Sequence, residues 1–146
     1  MSAVRVSILQ RMESIAAAEV APVRVFLVGL SEGLARSIVR YVGDQPRVTL
    51  TGAAPSLALA HMLLPATRSD LAMLDWSALG QPANEAVQHL RRGCPGLRII
   101  GVINNDAHLY RATASQIGLD AVISAEDIAG QFESLLHDYF PQRFPI

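Results

Sequence analysis

Residues Asp70 to Gly80 read DLAMLDWSALG, and this stretch decides the fold. It opens on an acid, runs apolar through Leu71, Ala72, Met73 and Leu74, and closes on Asp75. A short apolar run bounded by turn-forming residues is the pattern of a strand buried on both faces. Asp75 then stands at the strand's carboxyl end. Open α/β sheets carry their chemistry there, because the loops above the strand tips enclose a crevice. The competing reading makes Asp75 a cap for the next turn, since short polar side chains accept hydrogen bonds from the backbone just beyond them. Trp76 to Gln81 reads as a loop running into Pro82.

The same grammar extends on both sides. Val23 to Val28 (VRVFLV) is a β-branched, apolar strand followed by a Gly29-Leu30 turn. Ser31 is a suitable N-cap for a helix to Val42, with Leu34, Ile38, Tyr41 and Val42 on one face and Gly43 closing it. Arg47 to Thr51 is a second strand, and Pro55-Ser56 opens a short helix that Pro65 should terminate. Beyond the central stretch, Pro82 to Arg92 reads as a helix and Leu97 to Ile103 as a strand. Asn104-Asn105-Asp106 suits capping of a helix to Ile117, closed by Gly118. Asp120 to Ser124 is a fifth strand. Ser124 and Asp127 form an S-x-x-D capping box before a last helix, whose Ile128, Phe132, Leu135, Leu136 and Tyr139 share a face until Pro141. Strand-helix alternation five times over predicts a parallel sheet with helices on both faces.

Residues 1–22 form an extension outside this repeat. Ile8, Met12 and Ile15 fall at helical spacing, Ala16 to Ala18 favour helix, and Pro22 stops it. A helix over Ser7 to Glu19 is expected, with a short strand at Val4 to Ile8 as the alternative. Residues 23–140 make the domain and 141–146 a tail.

At 146 residues, 51% of them hydrophobic, the chain suits one packed domain. No apolar run reaches the ~18 residues of a membrane span, and the first residues lack the order of a signal peptide. A net charge of -1 with mixed signs argues against nucleic acid as a partner. A single cysteine, Cys94, excludes an internal disulfide and fits the cytoplasm. Every basic side chain is arginine; there is no lysine.

Five βα units of this size, with an aspartate ending strand three, resemble the receiver domain of two-component response regulators. The resemblance covers about Val23 to Phe140. Asp70 to Asp75 is similar to the family's PDLVLLD run, and Gly80 falls at the glycine of its MPG turn. Gly118-Leu119-Asp120-Ala121 resembles the GAD turn into strand five, and Ser124 to Asp127 the run that follows that strand. The resemblance implies a flavodoxin-like (βα)5 fold, a doubly wound parallel five-stranded sheet. It also implies phosphorylation of the strand-three aspartate, here Asp75, by a histidine kinase. In the family, Mg²⁺ held by that aspartate and two acids after strand one neutralises charge. A Thr or Ser after strand four and a Lys after strand five hold the phosphoryl oxygens.

This sequence departs from the pattern at nearly every other position. Gly29-Leu30 stands for the acid pair, Ile103 with Asn104 beside it for the hydroxyl, Ala125 for the lysine and Val122 for the strand-five aromatic. Glu32 and Asp106 could supply carboxylates, but both sit where helix N-termini favour negative charge. The expectation is therefore a degenerate receiver, not an enzyme, without Mg²⁺ or another cofactor, signalling by contact with a kinase, regulator or output protein. With the sequence ending at Ile146, no attached output domain is expected, unless the sequence is a piece of a longer chain. A genuine phosphorelay receiver using Asp75 is the first alternative; a small flavodoxin-like enzyme or cofactor binder is the second. Gly29-x-x-x-Gly33 lacks the rest of a dinucleotide fingerprint. His61, His89, His108 and His137 fall on four different expected helices without ligand spacing, which argues against a metal site. Receivers commonly dimerise through helix four, strand five and helix five. Phe132, Leu135, Leu136 and Tyr139 are thus candidate homodimer contacts, joined by Ile8, Leu9, Met12 and Ile15. Trp76 is either a lid or partner contact at the crevice, or half-buried packing.

Overall fold

The computed structural model describes residues 21–143. The expected N-terminal helix and the end of the tail lie outside the described residues. The elements are β1 (Val23–Val28), α1 (Glu32–Gly43), β2 (Val48–Ala54), α2 (Leu57–Thr67) and β3 (Leu71–Asp75). They continue with α3 (Ala83–Gly93), β4 (Arg98–Ile103), α4 (Arg111–Ile117), β5 (Ala121–Ser124) and α5 (Ile128–Tyr139). Short 3-10 turns follow β3, β4 and β5, over Trp76–Leu79, Ala107–Tyr110 and Ala125–Asp127.

All strand pairs are parallel, in the order β2-β1-β3-β4-β5. This is the flavodoxin-like doubly wound sheet. Because strand side chains alternate between faces, β1 splits its residues between two cores. Phe26 and Val28 join Ala60 and Leu64 of α2, Val87 and Leu90 of α3 and Ala114 of α4 on one face. Val23, Val25 and Leu27 join Ile38 and Val42 of α1 and Phe132 and Leu136 of α5 on the other. Phe26 and Phe132 are fully buried, each worth about 2–3 kcal/mol in area removed from water.

Three boundaries differ from the sequence reading. Strand β2 runs on to Ala54, because Gly52, Ala53 and Ala54 pair with Phe26, Leu27 and Val28 after a register shift. A Cβ on Gly52 would come 2.9 Å from the Phe26 ring, so the ring lies directly against the bare backbone. Pro65 does not end α2, which continues to Thr67 and closes at Arg68 in the left-handed region. Leu64 is buried and its carbonyl accepts the Thr67 hydroxyl at 2.7 Å, which holds the last turn despite the missing proline N–H. The S-x-x-D box is not formed as read. Ser124 Oγ accepts from Glu126 N, but Ser124 N donates to Gln131 Oε1, one turn beyond Asp127, and not to the Asp127 carboxylate.

Candidate functional site

The strand order reverses between β1 and β3, and this opens the crevice at their carboxyl ends. Val28 pairs with Leu74, so Gly29 and Asp75 emerge side by side. Asp75 does stand at the tip of β3, yet its carboxylate is occupied locally. Oδ1 accepts from Ser77 N at 2.9 Å and from the Ser77 hydroxyl at 2.5 Å. The stretch read as a loop is thus a 3-10 turn with Asp75 as its N-cap. Position at the crevice and capping, posed as alternatives from the sequence, coexist in one residue.

The other positions around Asp75 are apolar or turned away. Gly29 has φ +65°, and a Cβ there would come 2.8 Å from the Ala78 methyl. The space into which a side chain from position 29 would project is therefore filled by the turn that Asp75 caps. Leu30 packs toward the α1/α5 core, as does Ala125. Ile103 and Val122 are buried in the opposite core, and Asn104 is exposed beyond the strand end. Neither spare acid turns inward: Glu32 pairs with Arg36 at 2.8 Å, and Asp106 accepts from His108 N at 3.0 Å as the cap of its own 3-10 turn. Among the described residues no group of three or more His, Cys, Asp or Glu side chains is arranged to hold a metal ion. Mg²⁺ takes near-octahedral oxygen coordination anchored on carboxylates, and the donor set around Asp75 does not fit it.

Trp76 is half-buried. Its ring packs against the Gly101 backbone, where a Cβ would lie 3.3 Å from it, and meets Tyr110 edge-on at 5.3 Å. The α5 residues expected at a dimer interface turn inward: Phe132, Leu135 and Leu136 are buried in their own core, since an apolar helix stripe packs first on its own sheet. Tyr139 is half-buried, and its hydroxyl donates to the Asp120 carbonyl at 2.7 Å. Burial and then the nearby Asp120 charge push its ionisation upward. What α4, β5 and α5 do present is a groove of about 410 Å³ with a mixed polar rim that includes Arg111, Ser115, Gln131, Ser134 and Asp138.

One further feature escaped the sequence. His61 and His89 are 28 positions apart yet stack with ring centroids 3.8 Å apart, between α2 and α3. Only the tertiary packing of those helices brings them together. Cys94 is partly buried and burial pushes its thiol up, away from nucleophilic character.

No protein-family model and no curated protein matches the sequence. Solved structures do. The signal receiver domain of the response regulator NarL from Mycobacterium tuberculosis aligns with a TM-score of 0.69 at 20% identity, over 82% of this chain and 96% of that one. A complex of the P1 domain of CheA3 with CheY6 from R. sphaeroides gives 0.68 at 18% identity, over 80% and 98%. The RcsB response regulator of Salmonella typhimurium gives 0.70 at 13% identity over 81% of this chain, which spans 59% of the RcsB chain. The fold is therefore that of receiver domains.

Proposed function

We propose that this chain is a degenerate receiver-like signalling domain that acts by binding another protein and is not switched by phosphorylation of Asp75. One observation carries the reading: the Ala78 methyl fills the space beside Gly29 where a metal-binding acid would need to project. A phosphorylated Asp75 would add nearly two negative charges. Ala125 offers no cation to meet them, Ile103 no hydroxyl, and the crevice no metal site. A charge-assisted hydrogen bond of the missing kind is worth ~1.5–3 kcal/mol. Losing it together with the metal slows phosphoryl transfer by roughly two to three orders of magnitude or more. The CheA3–CheY6 complex supports the protein-contact half of the reading, since a chain of this fold there meets a partner domain. A kinase, regulator, output protein or second copy of this chain would meet the polar groove of α4, β5 and α5. The domain is non-enzymatic in this reading and works in the cytoplasm, where Cys94 stays reduced.

Intact-mass spectrometry after treatment with a small phosphodonor and Mg²⁺ tests the proposal. The expected result is no adduct. A stoichiometric gain of roughly 80 daltons that disappears in Asp75→Asn would instead establish a phosphorelay receiver.

A further inference from the structure

The exposed apolar side chains gather at one edge of the domain. Val39 is 49% exposed, Leu59 37%, Met62 76% and Leu63 42%. Among the described residues the one other large apolar side chain so exposed, Leu109, stands apart in the turn after β4. The four belong to α1 and α2, which cover the two faces of the outer strand β2. Val48 packs with Ile38 and Val42 of α1, and Ala54 with Ala60 and Leu64 of α2. Their directions follow from helix geometry, since residues two apart point about 160° from one another. Tyr41 turns toward α5, where it meets Phe132 edge-on at 5.6 Å, so Val39 points to the β2 side of α1. His61 turns toward α3, where it stacks on His89, so Leu63 points to the β2 side of α2, with Leu59 one turn before it.

The same edge is bare of charge. Val48 to Thr67, VTLTGAAPSLALAHMLLPAT, runs through β2 and α2 without one Asp, Glu, Lys or Arg. Edge strands of monomeric domains are ordinarily blunted by charge, proline, shortness or a bulge. The opposite edge follows that rule: β5 has four residues, with Asp120 just before it and Glu126 and Asp127 just beyond. Within β2 the register shift at Thr51 is the one such device.

We infer that this edge is the contact between two copies of the chain, with α2 laid antiparallel on its mate about a two-fold axis. A two-fold contact sets a surface against itself, so any charge near the axis meets its like; a surface without charge does not. Homodimer interfaces are accordingly the more apolar class, depleted in charge at their centre. The shape also fits. Met62 is the middle residue of α2, and beside it lies an apolar groove of about 290 Å³ between α2 and α3, lined by Leu57, Ala58, His61, Ala86, His89 and Leu90. Antiparallel α2 helices would place each Met62 against the mate's groove, a side chain anchored in a pocket. A stable interface takes about 20–30 residues from each partner. Sixteen of the twenty residues from Val48 to Thr67 are at least partly exposed, and the α1 flank adds Val39 and the mutually paired Glu32 and Arg36 as a neutral rim. Because the β2 ladder is interrupted at Thr51, the contact rests on side chains and not on a continued sheet. The inference goes beyond the proposed signalling role: β2 and β5 are opposite edges of the sheet, so such a dimer leaves the groove of α4, β5 and α5 open to another protein.

Light scattering of the full chain over a range of concentrations tests the inference, comparing wild type with Met62→Glu, Leu59→Glu/Leu63→Glu and Leu109→Glu. Wild type should show dimer mass at micromolar concentration. Met62→Glu puts two carboxylates near the axis, and the dissociation constant should rise at least roughly a hundredfold; the double variant should do the same, and Leu109→Glu should leave it unchanged. All the substituted side chains are exposed, so the urea midpoint measured on the monomer should stay near that of wild type, and Met62→Glu decides alone if the double variant does not fold. A wild type that stays monomeric at millimolar concentration would overturn the inference. So would a dimer that persists in folded Met62→Glu, or one that Leu109→Glu disrupts as strongly.

Discussion

Strand β3 begins and ends on aspartate environments of opposite kind. Asp70, just before it, accepts from Arg24 N at 2.9 Å and from Arg143 at 3.1 Å, closing the base of the sheet onto the C-terminal turn. Asp75, at its tip, bonds among the described residues only within its own turn, to Ser77. Asp120, at the base beside β5, accepts from Arg91 at 2.8 Å, Arg98 at 3.4 Å and Ile99 N at 2.8 Å. Among the described residues, the charge pairs between elements lie at the amino ends of the strands, where they hold the fold. The carboxyl ends, where a crevice would use charge for chemistry, are apolar or capped. The same residue type is structural at one end and nearly idle at the other, and the difference is set by what surrounds it.

The contrast can be broken most forcefully at the base. Asp120→Ala removes the shared acceptor of Arg91, Arg98 and the Ile99 amide from a side chain only 14% exposed. The expected loss is about 3 kcal/mol, read as a fall in urea midpoint. Asp70→Ala, at a carboxylate 28% exposed, should cost about half as much. A loss below about 1 kcal/mol for Asp120→Ala would show that the base is not where charge stabilises the domain.

A smaller effect is expected at Tyr139. Tyr139→Phe removes its bond to the Asp120 carbonyl, at about 1 kcal/mol near neutral pH. The folded-state ionisation of Tyr139 is raised above the ordinary value of 10.0. Its contribution is thus fully present below about pH 10 and is lost as pH rises through the folded value. Alkaline denaturation of the phenylalanine variant should accordingly fall less steeply in that window than that of wild type.

Smallest of all is the expected effect of Asp75→Asn, within about 0.5 kcal/mol, because asparagine can still cap the turn. A crevice crowded with carboxylates would behave otherwise, since removing one charge relieves repulsion among the rest. A clear gain in stability would reveal acidic neighbours that the described geometry does not place there.

The fold was legible because its signals are local and repeated. The VRVFLV run marks β1 to the residue, and Ser31 caps α1 as expected, accepting from Leu34 N. Failures fall where tertiary context decides. Gly52, Ala53 and Ala54 carry no strand signal of their own and are drawn into β2 by the β1 ladder. Pro65 is tolerated because the packing of Leu64 holds the helix around it. The apolar face of α5 was legible as a face, but periodicity cannot say whether its own sheet or another chain covers it. At the site, the missing side chains could be read directly from Gly29, Ile103 and Ala125. The left-handed backbone of Gly29, the Ala78 methyl against it and the Ser77 bonds to Asp75 depend on how two strand tips meet, which no single stretch encodes.

The central claim is that the crevice at the tips of β1 and β3 has no charge chemistry. Backbone amide chemical shifts, followed by NMR through a titration with millimolar Mg²⁺, test it most directly. With Asp75 as its only carboxylate ligand, the ion would keep most of its waters and bind weakly. The account predicts only small, linear, non-saturating changes at Gly29, Asp75, Trp76 and Ser77. Saturable shifts centred on those amides, lost in Asp75→Asn, would show a working metal site and contradict it.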